Sequence, residues 1–245
     1  MASILSQEEI DALLEGDSAI DEGGDLGNDA DSDSSIDERN VTLYDFKRPN
    51  RVSKEQLRSI RSLHDKFARG LASKISSLMR TIVEVTLHTV DQMTYGEFLM
   101  SLPSPTSFNV LSIKPLDGNI NVEINPTIAF SIIDRLLGGS GNPYDEIREF
   151  TDIELALMDN VFNHITKELK ESWASYIEIF PNMETKESSP NVVQVVAQNE
   201  FVIMCVLEII IGNTSGMINI CYPIIYLEPI FQRLSNRDLL IGNNK

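Results

Sequence analysis

The sequence of 245 residues contains little of what metal or redox chemistry requires. It has two cysteines, Cys205 and Cys221, in apolar strand-like surroundings and without the Cys/His spacing of a zinc site. They are therefore predicted to be buried, reduced thiols. The three histidines, His64, His88 and His164, have no Ser, Cys or Asp at a spacing that indicates a catalytic triad. We expect no metal, no cofactor and no catalytic residue.

Positive charge is also scarce. Twenty Lys and Arg residues stand against 37 Asp and Glu, and residues 1–40 carry thirteen of these acids with Arg39 as their one basic residue. The remainder of the chain is close to neutral and has no basic stripe that could neutralise phosphates or anionic lipid headgroups. Nucleic acid is therefore not an expected partner.

Long hydrophobic runs are missing as well. The longest apolar run, Ile203 to Ile211, is interrupted by Glu208 and is far shorter than the ~18 residues of a membrane-spanning helix. The first residues are acidic and are not led by Lys or Arg, as a signal peptide would be. We therefore expect a cytoplasmic protein with no direct membrane insertion.

The N-terminus is predicted to form a short amphipathic helix. Ser6 and Glu9 form an S-x-x-E capping box, and Gly16 is a natural stop. Its apolar side chains are Leu5, Ile10, Leu13 and Leu14. A helix of about nine residues is below the ~12–15 that are stable alone in water. The pattern favours a peptide that folds on a partner, and the alternative is a helix docked on its own domain.

Asp, Ser and Gly dominate the first part of residues 17–43, and apolar side chains are few there. This composition predicts a disordered acidic linker. The globular body is predicted to follow. A second capping box at Ser53 begins a long helix, and a strand follows from Val83. A hairpin is predicted between residues 108–113 and 120–124. Asn125 then caps a shorter helix that Gly138 ends.

The second half of the body repeats the first at an offset of 98 residues. Thr151 and Glu154 form a third capping box at that distance from Ser53. The segment Gly118-x-Ile120-Asn121-Val122 likewise matches Gly216-x-Ile218-Asn219-Ile220. This indicates a pseudo-twofold α/β (α+β) domain of α/β/α type, with two long and two shorter helices around a β-sheet.

The segment Gly138-Gly139-Ser140-Gly141 resembles a phosphate-binding loop only in composition. It follows a helix C-terminus, whose partial negative charge repels phosphate, and no Lys follows it. One glycine would suffice to end the helix. Three glycines favour a loop that another protein approaches closely.

Several segments, taken together and in order, resemble the FliM family of flagellar motor switch proteins. They are Ile4 to Leu14, Tyr44 to Pro49, Val52 to Leu57, Tyr95 to Phe98, Ser101 to Thr106, Ile133 to Gly141 and Leu227 to Ile230. The resemblance implies a middle domain with a fold like that of the CheC phosphatases. It also implies a place in the cytoplasmic C-ring of the flagellar basal body, peripheral to the inner membrane.

The resemblance further implies three kinds of partner. Phosphorylated CheY would bind the N-terminal peptide through Ile4, Leu5, Ser6, Gln7, Glu9, Ile10, Asp11, Leu13 and Leu14. FliG would bind the middle domain through Asp134, Arg135, Gly138, Gly139, Ser140 and Gly141. Neighbouring FliM copies would pack side by side in a ring, and CheY binding would bias the direction of flagellar rotation.

The expected division of the chain is a peptide at 1–16, the linker at 17–43, the middle domain at 44–235 and the start of a further linker at 236–245. Family members continue into a domain that pairs with FliN. This chain ends at Lys245, so the FliN contact is in doubt for it.

The competing interpretation is a CheC-type phosphatase acting on phosphorylated CheY. Those enzymes carry an E-x-x-N motif that orients the attacking water. No Glu of this chain has Asn three residues later, and Asn160-x-x-Asn163 lacks the acid. We therefore expect a protein that is not an enzyme.

Overall fold

The computed structural model describes residues 51–142 and 148–231, in which five helices accompany a six-stranded sheet. The elements are α1 (Lys54–Met79), β1 (Val83–Thr94), α2 (Tyr95–Ser101), β2 (Ser107–Lys114), β3 (Asn119–Ile124), α3 (Pro126–Leu136), α4 (Asp152–Trp173), β4 (Phe180–Glu187), β5 (Phe201–Ile211), β6 (Thr214–Pro223) and α5 (residues 224–231). The predicted N-terminal helix and the acidic linker lie outside the described residues.

The sheet confirms the predicted pseudo-twofold symmetry. Its strands run antiparallel in the order β1-β5-β6-β3-β2-β4. If β1, β2 and β3 are exchanged with β4, β5 and β6, respectively, the order is reversed. The pseudo-twofold axis therefore passes between β3 and β6. At that axis Val122 lies opposite Ile220, its own equivalent at the 98-residue offset. The duplication seen in the sequence is therefore the symmetry of the fold.

Local signals place the long helices where they were predicted. Ser53 begins α1 with a capping box in which its hydroxyl accepts from the Gln56 N–H and the Gln56 side chain accepts from the Ser53 N–H. Thr151 and Glu154 begin α4 in the same way. A further capping box, between Thr94 and Glu97, begins the short helix α2, which the sequence interpretation missed.

The main core lies between the sheet and the helices α1, α3 and α4. Both cysteines are buried, as predicted, and Trp173 is buried as well. Helices α1 and α4 come very close at Gly70, where an added Cβ would lie 2.0 Å from Oε1 of Glu168. Nζ of Lys74 lies 2.7 Å from the other carboxylate oxygen of Glu168.

His64 and Glu123 are among the polar side chains that are buried in the protein. His64 on α1 is fully buried, with Nδ1 2.9 Å from the carbonyl oxygen of Ile60 and Nε2 3.0 Å from the hydroxyl of Tyr222. Glu123 on β3 is equally buried and accepts a 2.7 Å hydrogen bond from the amide of Asn219. In the part of the chain that the structure describes, no helix combines the length and the apolar character needed to cross a bilayer.

Candidate partner-binding surface

The end of α3 lies at the surface of the protein. Asn125 caps the helix and Pro126 occupies its first position, as predicted. The inner side of the helix is buried in the core. Its last turn instead brings Leu137 to the surface, where 70% of this side chain is exposed. An exposed leucine held on an ordered helix end is a typical anchor for a protein partner.

The loop that follows α3 is held by hydrogen bonds to the helix itself. Gly139 donates its backbone N–H to the carbonyl oxygen of Asp134 at 2.8 Å. Gly141 donates its N–H to the Asp134 carboxylate at 2.7 Å. The carbonyl oxygen of Gly141 accepts from the hydroxyls of Ser131, at 2.6 Å, and Thr214, at 3.1 Å. The loop is therefore tied to α3 and β6.

Each of the three glycines meets a separate steric requirement. Gly138 has φ of +95°, which ends the helix in a conformation that L side chains rarely adopt. An added Cβ on Gly139 would lie 2.2 Å from Oδ1 of Asp134. Gly141 combines φ of +74° with a site only 2.8 Å from Cγ of Arg135. The glycines thus let the backbone fold back over two side chains of its own helix.

A groove of about 360 Å³ lies beside this loop. It is lined by Phe130, Ile133, Asp134, Leu137, Ser140, Asn142, Arg148 and Glu154. Arg148 makes two hydrogen bonds to Glu154, of 2.8 and 2.5 Å, and its guanidinium lies 4.8 Å from the centre of the Phe130 ring. Hydrogen bonds from Arg148 lower the pKa of the Glu154 carboxyl to about 2, so this pair is fully charged at neutral pH.

The groove lining combines apolar side chains with charged ones. Phe130, one of the apolar lining residues, stacks on Phe150 at 4.5 Å between ring centres. The described lining residues include neither His nor Cys, and no group of three His, Cys, Asp or Glu in the described ranges could hold a metal ion. Such a surface is suited to recognising a protein.

The structure brings together all six residues predicted to bind FliG. Gly138, Gly139 and Ser140 are exposed at the tip of the loop, and Asp134 is exposed on α3. Arg135 is half-buried, and Gly141 is buried, so Gly141 supports the loop from within. The residues predicted to bind CheY, from Ile4 to Leu14, lie outside the described residues.

Sequence reasoning missed the groove beside the loop. Arg148 and Glu154 are six residues apart and lie in a loop and a helix, so no periodic pattern marks them as a pair. Leu137 directly precedes Gly138 and lies within the predicted helix, whereas the structure ends the helix at Leu136 and leaves Leu137 exposed. Asn160 and Asn163, the nearest approach to a phosphatase motif, are exposed on α4.

Comparison with known proteins identifies relatives across nearly the whole chain. The model of the family "Flagellar motor switch protein FliM" matches residues 53–239. The flagellar motor switch protein FliM of Treponema pallidum is 41% identical over 237 residues, which is 97% of this chain and 67% of that protein. The sequence similarity to this family therefore extends over both the body and the segments that precede it.

Two crystal structures from H. pylori resemble the described body. A chain in a FliG–FliM complex is 64% identical, with a TM-score of 0.73, and the match covers 74% of this chain and all of that one. A chain in a FliM–SpeE complex is 61% identical, with a TM-score of 0.72, and the match covers 77% of this chain and 99% of that one. Both similar chains were crystallised with another protein.

Proposed function

The chain belongs to the FliM family of flagellar motor switch proteins, and on this basis we propose that it is a non-enzymatic adaptor between a chemotaxis signal and the flagellar rotor. In this proposal the N-terminal peptide receives phosphorylated CheY. The middle domain, residues 44–235, transmits the signal to FliG. Together these contacts control the direction of rotation.

The observation that carries the proposal is the 64% identity to a chain crystallised in a FliG–FliM complex. The surface at the end of α3 supports FliG as the partner, because its loop is exposed, ordered and flanked by the apolar side chain of Leu137. The contact would centre on Asp134, Arg135 and residues 138–141. Burying Leu137 against FliG would supply most of the apolar contact.

The proposed CheY site is the peptide of residues 1–16. Its capping box lowers the cost of becoming a helix, while its length keeps it from being stable alone. The acidic segment 17–43 would act as a tether and keep captured CheY at a high effective concentration near the middle domain. CheY binding would then shift the ring between its two rotational states through a difference in affinity.

Assembly follows from the same proposal. Copies of the chain would stand side by side in the C-ring at the cytoplasmic side of the basal body.

The FliG contact is tested by titrating FliG into the whole chain and into two variants. Leu137→Ser should weaken binding about tenfold or more through lost apolar burial. Met100→Ser is the matched control, because Met100 is also an exposed apolar side chain, on α2. Equal affinities for all three proteins would contradict the proposed FliG site.

The CheY contact is tested by comparing phosphorylated with unphosphorylated CheY. Phosphorylated CheY should bind more tightly, and Leu13→Ala should weaken it by about 1–2 kcal/mol. Leu26→Ala, in the linker, is the control and should bind like the parent. Equal binding of the two CheY forms would refute the adaptor function.

The phosphatase alternative predicts a different result. Adding the chain to phosphorylated CheY should leave the rate of phosphate loss unchanged if the protein is an adaptor. A clear acceleration would make it an enzyme.

A further inference from the structure

A second exposed apolar side chain lies close to the proposed FliG site. Ile82, in the turn between α1 and β1, has 80% of its surface exposed. The next residue, Val83, is buried at 4% exposure. The turn therefore exposes Ile82 to solvent and buries Val83. A large apolar side chain with this exposure gains free energy when a partner covers it.

The turn that carries Ile82 is held in one conformation. The N–H groups of Arg80 and Thr81 both bond to the carbonyl oxygen of Ser76, and Arg80 has φ of 50°. The hydroxyl of Ser76 accepts from the Val83 N–H at 3.0 Å and contacts the Val83 carbonyl oxygen at 3.3 Å. Since the turn is tied on both sides of Ile82, this side chain is preorganised for contact.

Arg135 joins this turn to the glycine loop. Its Nη2 donates to the hydroxyl of Thr81, the residue just before Ile82, at 3.5 Å. The aliphatic part of the same side chain lies beneath Gly141, where an added Cβ would be 2.8 Å from Cγ. One side chain therefore touches both the loop that ends α3 and the turn that ends α1, and the two form a continuous surface.

The glycine loop covers the Nε of Arg135. This atom is buried and has no hydrogen-bond partner among the described residues, and an added Cβ on Gly141 would lie 2.9 Å from it. The donor is therefore not part of the exposed surface, whose apolar anchors are Leu137 and Ile82.

From this geometry we infer that Ile82 is a second anchor for FliG, on a surface that runs from Leu137 through Arg135 to the α1–β1 turn. The inference rests on the proposed function, in which FliG binds at the end of α3. It extends that contact to a segment more than fifty residues away in the sequence.

The test compares four versions of the 245-residue chain by titration with FliG: the parent, Leu137→Ser, Ile82→Ser and Met100→Ser. Ile82 and Met100 are both 80% exposed, so their substitutions remove similar exposed apolar groups in different places. Ile82→Ser should weaken FliG binding about five- to thirtyfold. Met100→Ser should bind like the parent, and thermal unfolding should be unchanged in both variants because neither side chain is buried.

The possible results distinguish a failure of the Ile82 anchor from a failure of the proposed FliG site at the end of α3. If Leu137→Ser binds weakly while Ile82→Ser binds like the parent, FliG uses the loop alone and the inference is wrong. If Leu137→Ser and Ile82→Ser both bind like the parent, the proposed FliG site is itself wrong. If Met100→Ser weakens binding as much as Ile82→Ser does, the effect is not specific to the turn and the inference also fails.

Discussion

The backbone N–H of Gly141 donates a 2.7 Å hydrogen bond to the carboxylate of Asp134, seven residues earlier in the chain. This bond closes the glycine loop over the last turn of α3. Because the acceptor is charged, the bond is stronger than one between neutral groups. The shape of the proposed FliG surface therefore depends on a side chain that is itself exposed.

Removing that acceptor should loosen the loop. In Asp134→Ala we expect the Gly141 amide to exchange its hydrogen at least tenfold faster than in the parent, because its acceptor is gone. Asp134→Asn keeps an oxygen at the same place and should retain most of the protection. The measurement is amide hydrogen exchange by NMR, and equal protection in the parent and the alanine variant would contradict this account of the loop.

The two neighbouring glycines should respond differently to substitution. Gly139→Ala would place its Cβ 2.2 Å from the Asp134 carboxylate, so Asp134 must rotate away and release Gly141. We expect about a tenfold loss of FliG affinity in this variant. Gly138 has no atom within 4 Å of an added Cβ, and Asn tolerates positive φ, so Gly138→Asn should fold normally. If Gly139→Ala bound FliG like the parent, the loop conformation would not matter for recognition.

The close crossing of α1 and α4 gives a prediction about stability. Gly70→Ala should destabilise the protein by about 1–3 kcal/mol, because the new methyl group overlaps the Glu168 carboxylate at 2.0 Å. The gain in helix propensity, roughly 1 kcal/mol, offsets only part of this cost. Urea unfolding measures the change.

A double-mutant cycle identifies the cause. Removing the carboxylate with Glu168→Ala should make the Gly70→Ala substitution harmless in that background, or slightly stabilising. If Gly70→Ala cost the same free energy in both backgrounds, the overlap with Glu168 would not be the cause.

Two of the buried titratable groups, His64 and Glu123, should give stability opposite dependences on pH. Burial lowers the pKa of His64 from 6.5 to about 4, so the unfolded chain binds this proton more readily than the folded one. His64 therefore makes stability fall as pH decreases from about 6.5 toward 4. Burial raises the pKa of Glu123 from 4.5 to about 7, so the folded chain keeps this proton. Glu123 therefore makes stability fall as pH rises from about 4.5 through 7.

Geometry supports the neutral state of His64. The Ile60 carbonyl can only accept, so Nδ1 of His64 carries the hydrogen and Nε2 accepts from Tyr222. For Glu123, burial raises the pKa, and the hydrogen bonds that the Thr106 hydroxyl and the Asn219 amide donate to the carboxyl group offset part of that rise.

Single variants should separate the two effects between pH 4.5 and 6.5. In Glu123→Gln the His64 effect remains, and stability should rise with pH by up to about 1.4 kcal/mol per unit. In His64→Gln the Glu123 effect remains, and stability should fall with pH by a similar amount. The parent should change little over this range. Urea unfolding at several pH values measures this, and parallel profiles for the two variants would contradict it.

The elements that sequence reasoning found are those encoded by neighbours in the chain. The capping boxes at Ser53 and Thr151 use side chains three residues apart, so the start of each long helix can be predicted without knowing the fold. The hairpin of β2 and β3 and the cap at Asn125 are equally local. The internal repeat was visible because equivalent residues sit at one constant offset, and this determined the symmetry of the sheet.

The remaining features required the tertiary structure. His64 meets Tyr222 from 158 residues away, and Arg135 meets Thr81 from 54 residues away, so nothing in the local pattern marks either pair. The groove between Phe130 and Arg148 likewise exists only once α3 and α4 have packed. By itself the sequence determined the helix starts, the duplicated plan, the glycine loop and the family. Tertiary packing alone decided that the three glycines close over Asp134 and Arg135 and that Ile82 stays outside, because such contacts join segments that meet only in the folded chain.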